Sequence, residues 1–561
     1  MNIKKLTTFI FALCITGTAF AAPQAPSIGD AIRQAEPPKD IPVQEQPLPK
    51  VEKQERPVMK STGGKTVHVN SFSIAGNTAI STEELNAVVN APENVGRDMT
   101  FGDIQAVAAK LTEYYKERGY FVAKAYIPKQ EMTDGKVELV ILEGKYGELN
   151  IQNNSLVNDG RIRKMADKAA DDEIILSGTL EHQMLLVNRT PGAHLKKLNI
   201  RPGVEPGTSD FDFQVDAAPR VYGYLIGDNY GLRYTGEYRA MAGVGINSPL
   251  GLGDRLFLNG LMSDNGGLTN GRAAYLIPLN ASGLTAELSY SHTEYELSEE
   301  YDYLDATGRS DNASVEFKYP LHLSRNAELY TTVLFSYKDM EDEMEEFDTL
   351  VDKDTMSVYA DVSYKRSYTL FGLPSSTKVK GGLKVGRLDF DDSDSERADK
   401  AGADTAGTYS KLNVSVEQKT NFSKKFSLSA SLQIQQALGN KNLDGSEDIS
   451  LGGVYGVKVY PSGEESAENG YIMNAELFYR LPKVKEVTSM LSIFADHAYA
   501  KPQYDFSNEN GRSLSDVGIG GYVYYKTFFM KAYYAHAVGG AKVESEPDYN
   551  NKLLIQAGMT F

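Results

Sequence analysis

The stretch LLIQAGMTF, residues 553–561, decides how the rest of the chain is read. Leu553, Ile555, Ala557, Met559 and Phe561 point one way along an extended backbone, while Gln556, Gly558 and Thr560 point the other. Period-two alternation of this kind gives a strand with two unlike faces. An apolar face that ends on an aromatic residue is what a membrane-spanning β-barrel turns towards lipid. A soluble propeller needs no such ending. The expectation is a transmembrane barrel rather than a soluble all-β protein.

Working back from that strand, the same alternation recurs as far as residue 219. Strands are expected near 219–228, 236–248, 252–264, 270–279, 284–296, 310–319, 326–340 and 354–368. They continue near 376–391, 405–419, 424–438, 470–482, 487–502, 512–526, 528–542 and 549–561, sixteen in all. An even count is what a closed bacterial barrel requires. One set of connections is short, such as SPLG at 248–251 and NFSKK at 421–425. The other is long and acidic, such as DMEDEMEEFD at 339–348 and DDSDSERADKAGAD at 391–404. Short turns at one end and long polar loops at the other form the periplasm-to-exterior asymmetry of outer-membrane barrels.

Composition agrees. The chain carries a formal charge of −17, which argues against nucleic acid as a partner. It has 34 tyrosines, 50 glycines and no tryptophan. No window of about 18 apolar residues follows the first segment, so no transmembrane helix is predicted. That first segment, 1–21, has a basic start at Lys4 and Lys5, an apolar run and a small-x-small site at Ala19-Phe20-Ala21, and is expected to be a signal peptide. The one cysteine, Cys14, lies within it, so the exported chain would fold without disulfides.

Next comes a short plug-type helix within 22–36, its helical part at 27–35, and then a Pro-rich linker over 37–65. Residues 66–146 read as βααββ. Ser81 with Glu84 and Thr100 with Asp103 open the two helices, and Gly119 closes the second. Residues 147–217 repeat the order, and 218–561 form the barrel. The edges of small mixed sheets are places where an extended peptide can add a strand.

The longest connection, 439–469, belongs to the exterior set but contains VYGVKVY, which is apolar and β-prone. The economical reading folds it back into the barrel lumen. There Lys458 would seek a carboxylate, and Asp496 in LSIFADHAYAK has the parity to point inwards. His497 has the opposite parity.

These features resemble the outer-membrane transporters of two-partner secretion, the TpsB group of ShlB/FhaC/HecB type. The family loop motif is Gly-Gly, three residues, then Val-Arg-Gly-Tyr or Phe. Gly452-Gly453, three residues, then Val457-Lys458-Val459-Tyr460 occupy that frame. The family's Phe-x-Asp-x-Gly on the thirteenth strand appears as Phe494-Ala495-Asp496-His497-Ala498. Lys458, Val459 and Ala498 depart from the pattern. A lysine gives a point charge where an arginine offers two parallel hydrogen bonds, so the clasp is expected to survive in a less rigid form.

The resemblance implies two periplasmic POTRA domains, a plug helix and a sixteen-stranded barrel. It implies export of a secreted TpsA-type exoprotein: an adhesin, a haemolysin or a contact-dependent toxin. It places the chain, as a monomer, in the bacterial outer membrane among lipid and lipopolysaccharide. No cofactor or metal is expected, and no catalytic motif stands out: there is no Gly-x-Ser-x-Gly, His-Glu-x-x-His or phosphate-binding glycine loop. The alternatives are a barrel-assembly factor and a passive porin-like channel.

Overall fold

The computed structural model describes residues 27–38, 41, 50–53, 66–132, 134–439, 441–504 and 511–561. The expected signal peptide lies outside the described residues, as do 22–26 and most of the expected linker.

Helix α1 (Ile28–Gln34) comes first, and the Asp30 carboxylate accepts the Ser27 N–H at 3.1 Å to fix its start. Strand β1 (Lys50–Lys53) follows. Then comes an α+β unit: β2 (Thr66–Val69), β3 (Ser71–Ala75), α2 (Thr82–Val89), β4 (Arg97–Thr100), α3 (Phe101–Glu117), β5 (Lys124–Tyr126) and β6 (Lys136–Leu142). Thr100 and Asp103 cap each other at the start of α3. Its Ile104, Val107, Ala108, Leu111 and Tyr115, spaced on one 3.6-period face, are buried against Val137, Leu139 and Ile141 of β6. Glu143 ties the unit together. Its carboxylate accepts the N–H groups of Thr78 and Ala79, each at 2.8 Å, the Thr78 hydroxyl, and the Tyr115 hydroxyl at 2.7 Å.

A second unit contains β7 (Lys145–Asn154), α4 (Asp159–Ala169), α5 (Ser177–Arg189), β8 (Ala193–Pro202) and β9 (Thr208–Ala217). Its sheet order is β1-β8-β9-β7. The unit rests on the barrel's short turns: Asn158 N–H donates to Gly251 O at 2.8 Å, Leu323 N–H to His182 Nδ1 at 3.2 Å, and Arg189 pairs with Glu328 at 2.7 Å.

The barrel opens with β10 (Val221–Asp228), β11 (Arg239–Asn247), β12 (Arg255–Ser263), β13 (Leu268–Pro278), β14 (Thr285–Glu296) and β15 (Ala306–Leu323). It continues through β16 (Ala327–Met344), β17 (Thr349–Leu370), β18 (Leu373–Phe390), β19 (Gly407–Asn421) and β20 (Phe426–Leu438). Two short strands, β21 (Ile449–Ser450) and β22 (Ser466–Ala467), pair only with each other inside the long loop. The barrel closes with β23 (Asn469–Arg480), β24 (Val487–Lys501), β25 (Arg512–Tyr525), β26 (Phe528–Ala537) and β27 (Asn551–Thr560). Sixteen antiparallel strands form the ring, each matching one of the expected runs. Large apolar side chains such as Leu491, Ile493 and Leu553 are exposed outwards, while Asp496 and Gln556 are buried inwards. The closing seam is short: β10 meets β27 over Tyr224–Thr560 to Asp228–Gln556, and Phe561 and Gly223 exchange two 3.0 Å backbone bonds beyond it.

Several expectations are corrected. Only the end of the acidic stretch 339–348 is a connection; β16 runs paired to Met344, with alternate residues facing the lumen and the outside, and residues 345–348 turn the chain into β17. Within 391–404, Ser393–Ala401 is a helix, α6, capped by Asp392. The single strand that opens the expected βααββ order is two, β2 and β3, since Asn70 between them bonds to Asp134 O and Gly135 O. Of the strands expected after the second helix, the first pairs only at Lys124–Tyr126, and β7 begins at Lys145, ahead of the expected boundary at 147. The linker is not wholly unpaired: its Lys50–Lys53 forms a strand against β8.

Candidate functional site in the barrel lumen

The long loop between β20 and β23 turns into the lumen and meets the wall at Lys458. Lys458 Nζ lies 2.7 Å from Asp496 Oδ2, with the lysine side chain 8% exposed and the aspartate 0%. The ammonium also lies 4.4 Å from the Phe494 ring centroid and 5.6 Å from that of Tyr533, so aromatic faces complete its surroundings. Asp496 Oδ1 accepts from Asn474 Nδ2 at 2.8 Å, and the same amide donates to Gly456 O at 2.8 Å. The wall thus grips the loop by its backbone as well as by charge. Tyr460 donates to Ala541 O at 3.0 Å.

Two glycines shape the tip for definite reasons. A Cβ on Gly452 would lie 1.8 Å from Pro461 O, and Gly453 holds φ at +90°, which disfavours any other residue. Val457 N–H closes the turn on Leu451 O at 2.8 Å. All seven candidate site residues, Gly452, Gly453, Val457, Lys458, Tyr460, Phe494 and Asp496, therefore belong to one contact between loop tip and wall.

Sequence reading missed other parts of the contact. Asp516 on β25 stands directly opposite Asp496 in register and accepts Val459 N–H at 2.7 Å. Two buried carboxyl groups facing each other across strands do not readily both ionise; Lys458 pairs with Asp496, while Asp516 takes the Val459 N–H. Glu464, further along the loop, pairs with Arg512 at 2.8 Å and takes the Glu544 N–H at 2.8 Å. The signal for both acids was their inward parity or their place in the loop, but a single sequence does not say which wall residue a loop will reach.

A second anchor holds the first half of the loop. Glu447 is met by Lys384 of β18 at 2.6 Å, Lys411 of β19 at 3.0 Å and Lys338 of β16 at 3.5 Å. Asp444 pairs with Lys353 at 2.7 Å. This anchored turn forms one side of the seat for α1. Arg33 donates to Gly445 O, and a Cβ on Gly29 would come within 2.8 Å of Ser446 N. The wall forms the other side. Asp342 Oδ1 accepts Ile28 N–H at 2.8 Å and the Tyr295 hydroxyl at 2.7 Å, while Arg239 reaches Gln34 O at 2.7 Å. Ile28 and Ala31 are buried against Tyr224, Ile226, Met241 and Leu268. Helix and loop together occupy the lumen.

His497 lies on the opposite face of β24, where it meets Ser515 Oγ at 2.8 Å and the Tyr471 hydroxyl at 3.2 Å, away from Asp496.

The family described as haemolysin secretion/activation protein ShlB/FhaC/HecB matches residues 207–516, and the ShlB-type POTRA domain matches 67–144. The heme/hemopexin transporter protein HuxB of Haemophilus influenzae is 26% identical over 456 residues, covering 79% of this chain and 78% of the relative. The outer membrane transporter CdiB of Dickeya dadantii is 24% identical over 413 residues, 70% of each. Among solved structures, CdiB from Escherichia coli superposes with a TM-score of 0.73 at 16% identity, over 100% of this chain and 98% of that one.

Proposed function

The chain belongs to the ShlB/FhaC/HecB family of haemolysin secretion/activation proteins, outer-membrane transporters that export TpsA-type exoproteins, and from that premise we propose how its parts divide the work. The two α+β units stand in the periplasm and take hold of the unfolded exoprotein by its extended segments, since sheet edges bind such segments through backbone hydrogen bonds. The barrel is the conduit. Helix α1 keeps it closed until the exoprotein arrives, and the Lys458–Asp496 clasp holds the loop tip against the wall during passage. Folding of the exoprotein outside supplies direction, because a folded chain cannot return.

The observation that carries this division is the double occupancy of the lumen, by a helix and by a loop tip anchored through buried charge. A porin has no need of either. For the cargo, the relative named for heme/hemopexin transport matches in sequence over 78% of its length, against 70% for the CdiB of Dickeya dadantii, and favours an exoprotein of that kind over a contact-dependent toxin. The transporter acts as a monomer surrounded by lipid and lipopolysaccharide.

The test is export of the large exoprotein encoded beside this gene, with the intact chain, with none, and with Lys458→Ala at matched barrel levels. Export should require the chain and fall about tenfold in the variant, roughly the 1.4 kcal/mol worth of one weakened clasp. Full export without the chain overturns the reading of the cargo. Undiminished export by Lys458→Ala overturns the role of the clasp.

A further inference from the structure

The barrel's periplasmic turns divide by charge. Three of them, 248–254, 278–284 and 320–327, lie under the second unit and hold one acid, Asp254, against one base, Arg325, besides His322. They are bound by protein: Arg161 donates to Pro278 O at 3.1 Å, Asn158 N–H to Gly251 O at 2.8 Å, and Arg325 pairs with Glu181 at 3.2 Å. On the far side of the ring, the turns that join β19 to β20, β23 to β24 and β25 to β26 follow one another. Residues 421–426, 480–487 and 525–528 hold six bases, Lys424, Lys425, Arg480, Lys483, Lys485 and Lys526, against one acid, Glu486. The chain as a whole has a formal charge of −17, so this basic flank runs against its composition.

Little of that positive charge is matched by protein. All six bases are exposed. Lys526 meets Glu486 at 3.3 Å across exposed surface, a kind of pair that contributes little, and among the described residues the other five bases have no ion pair. Lys485 and Lys526 also stand at turn corners with φ of +53°, a conformation that glycine or asparagine takes at less cost. Turn formation alone therefore does not account for lysine at either corner. The strands set the depth of these charges. Phe426 pairs with Tyr479, and Tyr525 with Phe528, on the last rungs of their ladders. Phe426, Tyr525 and Phe528 are exposed, and the Phe426 and Tyr479 rings lie 5.0 Å apart. Exposed aromatic rings at the end of barrel strands mark the level where hydrocarbon gives way to headgroups. Lys425, Arg480 and Lys526 are each one residue from such a ring, about 3.3 Å of chain.

We propose that these three turns form a binding surface for anionic phospholipid in the leaflet that faces the periplasm. The ligand is the phosphate of a lipid with net negative charge, held by lysine point charges while its acyl chains lie against the neighbouring aromatic rings. A zwitterionic lipid offers its phosphate together with a cation and gains less from the same surface. An acidic protein segment would meet the same charges, but the rings beside them belong to the lipid-facing wall. The two flanks of the barrel's periplasmic end are then held by different means, one by the second unit and the other by headgroups.

The chain has no tryptophan, so Phe422→Trp, in the first of these turns, supplies a single local reporter. The purified full chain carrying it is placed in nanodiscs of phosphatidylcholine with a minority of phosphatidylglycerol. In one sample the phosphatidylglycerol is brominated, and in its match an equal amount of the phosphatidylcholine. Quenching should show phosphatidylglycerol enriched at the reporter at least about fivefold, the worth of one lysine close to an anionic surface. The preference should vanish in about 1 M sodium chloride, where the screening length falls to about 3 Å. It should vanish also when Lys424, Lys425, Lys483, Lys485 and Lys526 are all changed to glutamine. It should persist when Lys110, Lys116, Lys124, Lys129 and Lys136 of the first unit are changed instead, and when inorganic phosphate replaces chloride at equal ionic strength. Equal quenching by the two lipids, or a preference untouched by salt, overturns the proposal. A preference that survives the substitutions in the turns, or is lost with those in the first unit, overturns the assignment to this flank. Loss on adding inorganic phosphate shows a site for free anion and overturns the lipid as its ligand.

Discussion

At the scale of single residues, buried charge decides what holds the loop. Lys458 faces two carboxylates, Asp496 and Asp516, that are themselves register partners. Replacing it by arginine restores the family residue and allows two parallel bonds to Asp496. Lys458→Arg should therefore export at least as well as the unmodified chain and leave the loop tip more resistant to external protease; a loop cleaved faster than in the unmodified chain would contradict this. Glu143 makes the same case in the first unit. Burial works against its charged form, but the hydrogen bonds from Thr78, Ala79 and Tyr115 more than compensate and hold its carboxyl below the usual glutamate value. That contribution is full above the unfolded value of about 4.3 and is lost as the pH falls through the lower folded one. Glu143→Ala leaves these donors unmatched and should cost the unit about 2–3 kcal/mol. The chemical denaturation midpoint of the variant should also depend less steeply on pH below about 4.3 than that of the unmodified chain.

At the scale of elements, the anchored turn around Glu447 sets the position of α1. Glu447→Gln removes the charge shared by Lys338, Lys384 and Lys411, leaving three buried cations without their common partner. The turn should loosen and α1 leave its seat more often, so single-channel conductance in planar bilayers should show more frequent open events than the unmodified chain; unchanged conductance would separate the turn from the plug. Alternation made the ring readable, strand by strand. It could also have revealed β16, because Met340, Asp342 and Met344 share one parity through the acidic stretch and the structure buries Met340 and turns Asp342 to α1. Charge was read there as a loop, although Asp339 and Glu341 only line the outer face of a strand. The loop tip was legible through its glycines and its lone lysine. Asp516, Glu464 and the Glu447 anchor were not, because each depends on which distant wall a thirty-residue loop comes to touch. Strand β1 was hidden for a simpler reason: four residues between prolines and charges carry no pattern of their own, and only the edge of β8 makes them a strand.

At the scale of the whole molecule, the second unit and the barrel meet through His182. Burial, then the charges of His322 and Arg189, hold its imidazole below the usual histidine value, and its Nδ1 accepts Leu323 N–H. The contact is complete above about pH 6.5 and weakens as the pH falls towards the lower folded value, because the undocked imidazole takes up a proton first. Hydrogen exchange at the Leu323 amide should accelerate beyond its intrinsic rate change between pH 7 and 5.5, and His182→Asn, which keeps an acceptor and cannot be protonated, should abolish that excess. The wall is also uneven in height. Strand β17 has 22 residues and β10 has eight. At about 3.3 Å per residue and a tilt near 45°, β10 spans roughly 19 Å along the membrane normal, against an apolar band of about 25 Å. Lipid beside the β10–β27 seam must shorten its chains to meet the protein, so the bilayer is pinched on one flank only, and the transporter carries its own patch of thinned membrane at the place where its wall is held by the fewest bonds.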